Sequence, residues 1–126
     1  DSLGFTEMSG YTTPTQLVIQ DPEAWTTAWQ RVHAGRNPVP DVPQIDFGHD
    51  MVVLIALGGR STGGYEVRIR AAAVDGTRIV VTTEATVPGS TCMTTQALTQ
   101  PVDLVRLPKR TEPVRFVVDT IQQDCR

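Results

Sequence analysis

Seven consecutive apolar residues, Met51 to Leu57, run directly into Gly58-Gly59-Arg60-Ser61-Thr62-Gly63-Gly64-Tyr65. An unbroken apolar run of strand length suits a central strand covered on both faces, and it falls far short of the roughly 20 residues a membrane helix needs. The four glycines among the next eight residues free the backbone to take positive φ and to approach a neighbour closely, with one aromatic ring at the end. Two readings of this stretch stay open. In one, Arg60, Ser61, Thr62, Gly63, Gly64 and Tyr65 are presented to a protein partner; in the other, the glycines serve a tight turn and Tyr65 tops the core.

The elements around it follow from local pattern. Asp1 to Pro14, rich in Thr, Ser and Gly, is expected to be a flexible lead, and Gln16 to Gln20 a short strand. Asp21 is a good helix N-cap, with Pro22 in the first helical position and Glu23 where the helix dipole favours a negative charge. Trp25, Ala28, Trp29 and Val32 then fall on one helical face, and Gly35 ends the helix. Such a stripe is expected to pack the helix onto a sheet rather than to form a ligand platform. Pro38, Pro40 and Pro43 make Arg36 to Asp46 an extended linker.

Beyond the glycine-rich stretch the period is two. Val67, Ile69 and Ala71 alternate with Glu66, Arg68 and Arg70, Asp75-Gly76 signals a hairpin, and Ile79 and Val81 continue the alternation in an antiparallel neighbour. Pro88-Gly89-Ser90-Thr91-Cys92 breaks the ladder as a second loop. Two further strands are expected, Val102 to Leu107 and one carrying Val114, Phe116 and Val118. One helix against five or six strands predicts a mainly β domain, a small antiparallel sandwich with a single N-terminal amphipathic helix.

With 126 residues the chain suffices for one domain, spanning 1–126, and one core. A net charge of −3 and 20% charged residues give no basic stripe, which argues against nucleic acid as a partner. No segment is long and apolar enough to be embedded in a membrane. The chain begins at Asp1 without a basic or apolar leader, so an export signal is expected to have been removed or left off.

Cys92 and Cys125 are free thiols or a disulfide. The placement of Cys125 next to the last residue favours a bond, because it would tie down an end that otherwise frays. Closing that loop is worth about 3 to 4 kcal/mol in the chain-entropy model. A disulfide implies an extracytoplasmic protein, whether periplasmic, secreted or held at the surface by a lipid.

No catalytic set is legible, and no cofactor is expected. Asp46-Phe47-Gly48 lacks the phosphate loop, strand lysine and catalytic loop that give that triplet meaning in kinases. Asp46, His49 and Asp50 read as solvated turn residues rather than metal ligands. Ser61 has no Gly-x-Ser-x-Gly elbow, and nothing places His33 or His49 beside it. The glycines lead into a strand and lack a P-loop lysine, so they do not read as a phosphate cradle.

Taken in order, Pro43-Gln44-Ile45-Asp46-Phe47, the apolar run, Gly58 with Thr62-Gly63-Gly64-Tyr65, Pro88-Gly89, Gln96-Ala97-Leu98-Thr99, Pro101 and Val105-Arg106-Leu107-Pro108-Lys109 resemble the C-terminal domain of the PrcB family. That family takes its name from a small exported subunit of a spirochaete surface protease complex, and the likeness covers about Trp25 to Val118, within a domain expected over 22–126. It implies an exported, often lipid-anchored, non-catalytic domain that associates with a protease and supports its stability or assembly. The motif it marks is Thr62 to Tyr65 with the Pro88-Gly89 turn. The same four residues are also similar to the Thr-Thr-Gly-Tyr loop of the chagasin-type inhibitors, although Leu107-Pro108-Lys109 supplies no aromatic residue where those proteins carry Arg-Pro-Trp. The expectation is therefore an accessory domain that binds a protein partner, a peptidase by resemblance, through Arg60 to Tyr65 and Pro88-Gly89; the alternative is a reversible peptidase inhibitor using the same loop as a wedge.

Overall fold

The apolar run becomes the middle of the molecule. In the computed structural model, which describes residues 1–125, strand β3 (Asp50–Ala56) lies inside an antiparallel sheet of order β1-β6-β3-β2, where β1 is Ser2–Thr6, β2 Thr15–Ile19 and β6 Val102–Pro108. Its side chains alternate across the sheet. Val52, Leu54 and Ala56 pack with Trp25, Ala28, Trp29 and Val32 of helix α1 (Pro22–Val32), whereas Met51 and Val53 pack with Ile79 and Val81 of a second sheet. That second sheet has the order β4-β5-β7, from Glu66–Asp75, Arg78–Pro88 and Val114–Gln123. The result is three layers, helix on sheet on sheet, with no face of β3 left to water.

Local chemistry sets the helix as expected. The Asp21 carboxylate accepts the Ala24 N–H at 2.8 Å. Both indoles are buried, and their N–H groups donate to the carbonyls of Pro43 and Pro40, each at 2.8 Å. The three-proline linker is thus laid along the helix by its own carbonyls, which supply the partners that buried tryptophans need. His33 caps the helix edge-on to Trp29, with ring centroids 4.3 Å apart.

Three expectations need correction. The N-terminal stretch is not a loose lead: β1 pairs with β6, the Ser9 N–H and hydroxyl both donate to the Gln100 carbonyl, and Tyr11 is buried in the helix-side core. Tyr11 is buried and Leu3 packs partly against the same core, while Phe5 and Met8 stay half-exposed, so no periodicity announces the strand.

The sandwich is not wholly antiparallel. β7 runs parallel to β5, because the chain leaves β6 in one sheet and crosses through Pro108–Pro113 to re-enter the other sheet at the end where β5 begins. The Ile79 N–H donates to the Pro113 carbonyl at 2.9 Å and opens that ladder.

The alternation in β4 does not run through Ala71. The register slips between Ile69 and Ala71, so Val67 and Ile69 face inward and everything from Arg70 to Asp75 is exposed. A bulge of this kind inserts one unpaired residue and bends its strand. Its cause lies opposite it: the Asp103 carboxylate, 2% exposed, reaches from β6 to accept the Ile69 N–H at 2.7 Å. The hairpin beyond is tight, with Asp75 opposite Arg78 and Gly76 at φ +65° in its first central position, the pattern of a type II′ turn.

Candidate functional site

Gly58 to Tyr65 does not stand away from the body. Gly58 sits at φ +85°, and a Cβ there would lie 2.8 Å from both Cδ and N of Pro14, so only glycine fits between β3 and the N-terminal segment. The next residues extend the sheet: the Gly59 N–H donates to the Thr12 carbonyl at 3.0 Å, and Arg60 and Thr99 exchange N–H···O bonds at 2.8 and 2.9 Å. The Thr99 hydroxyl donates to the Thr62 carbonyl at 2.8 Å, and the Gly63 N–H donates to the Thr95 carbonyl at 3.1 Å. Segment 95–99 therefore holds the loop along its length.

The two motif loops meet. Gly64, at φ +91°, faces Pro88, whose Cβ would be 3.0 Å from a side chain placed at Gly64, and Thr94 closes the other side. Gly89 is buried, and its N–H donates to the Gln123 carbonyl at 2.9 Å. Cys92 and Cys125 are bonded, with Cα atoms 4.9 Å apart, which fastens the loop after β5 to the tail after β7. The Cys125 N–H also donates to the Thr91 hydroxyl at 3.0 Å. A cleft of about 340 Å³ runs between these pieces, lined by Glu7, Gly63-Gly64, Pro88, Met93 to Thr95 and the disulfide.

Of the expected site residues, Ser61 is exposed, Thr62 turns its hydroxyl to the Gly63 carbonyl at 3.0 Å, and Tyr65 is half-buried beneath the Arg60 guanidinium, 5.4 Å from the ring centroid. Gln96 to Thr99 entered the family likeness, but neither Met93 nor Leu98 was expected at the site; Met93 is 101% exposed beside the segment that holds the loop, and Leu98, within that segment, is 68% exposed. The available signal was Met and Leu in a Thr-rich stretch without strand or helix period.

The lining of this cleft is mostly uncharged. Glu7 is the charged side chain in its lining, and the two cysteines are consumed by their bond, so no thiol nucleophile and no acid–base pair is assembled there among the described residues. The histidines lie elsewhere. His33 packs on Trp29, where burial, reinforced by Arg36, pushes its pKa down; His49 pairs through Nδ1 with Asp46 Oδ2 at 2.7 Å on the surface. That hydrogen bond, followed by one from the Gly48 N–H, draws the Asp46 pKa below the usual carboxylate range. Neither histidine is hydrogen-bonded to Ser61 among the described residues, and no three His, Cys, Asp or Glu side chains among them are grouped to hold a metal ion.

Residues 51–108 match the family model described as PrcB C-terminal. The matched span begins at β3 and ends with β6, and it contains the glycine-rich loop, the Pro88-Gly89 turn and the 95–99 clamp, a narrower stretch than the likeness read from sequence. No curated protein and no solved structure matches the chain. No helix among the described residues is long and apolar enough to cross a membrane.

Proposed function

Residues 51–108 belong to the PrcB C-terminal family, a family that suggests a protease-associated accessory domain, and from that premise we propose that this protein is an extracytoplasmic, non-catalytic subunit that docks on a peptidase. The docking surface is the clamped loop Arg60 to Tyr65 together with Pro88-Gly89 and the exposed Met93 and Leu98. The observation that carries this reading is a loop whose backbone is fixed by Thr95 and Thr99, with exposed apolar side chains at Met93 and Leu98 on the same stretch of chain. A surface already ordered loses little entropy on binding, and Tyr65, Arg60 and Met93 are of the residue types that protein interfaces enrich. The disulfide at the edge of the same surface supports an oxidising compartment.

The inhibitor alternative requires a loop that projects into a cleft. Here the loop lies flat against segment 95–99, which supports a broad platform instead. The test is retention of peptidase activity from the source's envelope fraction on immobilised domain, comparing the wild type with a Met93→Ser/Leu98→Ser variant. Both side chains are solvent-exposed, so the variant is expected to unfold at an unchanged temperature while losing roughly tenfold or more in retained peptidase. Equal retention by the two proteins would contradict the assignment.

A further inference from the structure

β7 is the outer strand of its sheet, ten residues long, and nothing among the described residues pairs with its far edge. The ladder to β5 fixes which backbone groups that edge offers. The carbonyls of Pro113 and Gln123 accept from Ile79 and Gly89, so odd-numbered residues turn their N–H and C=O groups toward β5 and even-numbered residues turn theirs outward. An added antiparallel strand must therefore bond to Val114, Phe116, Val118 and Thr120.

Charge selects among the occupants of that edge. On the outer face Glu84 of β5 and Asp119 of β7 are direct neighbours, a like-charge pair that costs stability. Glu84 is met by Arg70 at 2.7 Å, whereas no cation among the described residues lies within ion-pair distance of Asp119, and none of the acids lies within that distance of Arg115. If a second copy of β7 pairs antiparallel with the first about a dyad at Val117, even residues face even residues, as the hydrogen-bond phase requires. Phe116 then faces the other copy's Val118, and Arg115 faces Asp119 on both sides of the dyad. Moving the dyad by one residue in either direction keeps the phase but breaks both charge pairs.

We propose that β7 is a homodimerisation edge, through which two copies join their three-stranded sheets into one continuous sheet with reciprocal Arg115–Asp119 pairs. The contact is isologous, as closed twofold assembly demands. The pairs fall at non-hydrogen-bonded positions, where facing side chains are closest. The exposed Val118, 40% accessible, is covered by Phe116 of the second copy. This inference stands apart from the docking surface proposed above.

The test is sedimentation equilibrium of the disulfide-bonded domain over a range of concentration. The wild type is expected to be a reversible dimer whose dissociation constant rises with salt. Arg115→Asp and Asp119→Arg, each alone, are expected to raise that constant roughly tenfold or more, and the double exchange to restore it, since like charges face each other in the singles and opposite charges in the double. Val118→Pro removes an outward N–H while leaving the β5 ladder complete, so it should give a folded monomer. A wild type that stays monomeric, or a dimer indifferent to both single exchanges, would overturn the proposal.

Discussion

Replacing Asp103 with alanine is expected to cost about 3 kcal/mol of stability, the lower end for breaking a buried charged contact because its cationic neighbour is partly solvated. The carboxylate accepts the Ile69 N–H at 2.7 Å and the Leu104 N–H at 2.9 Å, and the Arg68 guanidinium lies 3.7 Å away, itself stacked over the Phe5 ring. Alanine leaves an amide at the β4 bulge without an acceptor and a guanidinium without its counter-charge. The side-chain link from β6 to β4 is lost, and with it the counter-charge beside the Arg68 guanidinium that lies over Phe5 of β1. Asparagine retains an acceptor for the amide and should cost less. Denaturant unfolding of the three proteins gives the order directly.

The same site sets a pH dependence. Burial pushes the Asp103 pKa up, against the Ile69 N–H, the nearby Arg68 and the weaker effects of the Leu104 N–H and Arg70. A carboxyl whose folded pKa lies above its unfolded value contributes stability that is fully present below the unfolded value and is lost as pH rises through the folded one. Measured against Asp103→Asn, the wild type should therefore gain stability as pH falls from the raised value toward about 4, the ordinary carboxylate range. A difference that is flat across that window, or of opposite slope, would show that the carboxylate is better accommodated than its burial implies.

Trp25→Ala is the second large effect, expected at about 3 to 5 kcal/mol. The indole is 2% exposed and packed against Trp29, with centroids 5.5 Å apart, and its N–H holds the Pro43 carbonyl. Truncation removes the filling between α1 and the first sheet and releases the linker that lies over it. Trp25→Phe keeps most of the volume but leaves that carbonyl unpaired, so a loss of about 1 to 2 kcal/mol separates the hydrogen bond from the packing. Thermal unfolding of both variants tests the division; a Trp25→Ala protein as stable as the wild type would mean that the helix is not part of the core.

What could be read from the residues was whatever depended on short range. The Asp21-Pro22 cap, the Trp stripe, the apolar run of β3 and the Asp75-Gly76 hairpin each state their geometry within a few positions. The parts that escaped depend on partners distant in sequence. β1 forms because β6 offers an edge about a hundred residues later, and the N-terminal segment then serves the glycine-rich loop through the Thr12 carbonyl. The β4 bulge answers to Asp103 across the sandwich, although an aspartate in the otherwise apolar and basic run of β6 was a visible hint of a buried acceptor. At the candidate site, the glycines and the Pro88-Gly89 turn were legible as special backbone. That they meet, and that segment 95–99 clamps the loop while Met93 and Leu98 stand in water, follows only from the folded chain.

The claim that the clamped surface serves a peptidase is tested most directly by the enzyme's lifetime. The peptidase retained from the envelope fraction would be held at a temperature that inactivates it, alone, with excess wild-type domain, and with the Met93→Ser/Leu98→Ser variant, and its turnover of a small substrate followed in time. An accessory subunit acting through this surface predicts unchanged initial turnover and a half-life lengthened by the wild type but not by the variant. An immediate fall in turnover with the wild type, or the same lifetime in all three samples, would contradict it.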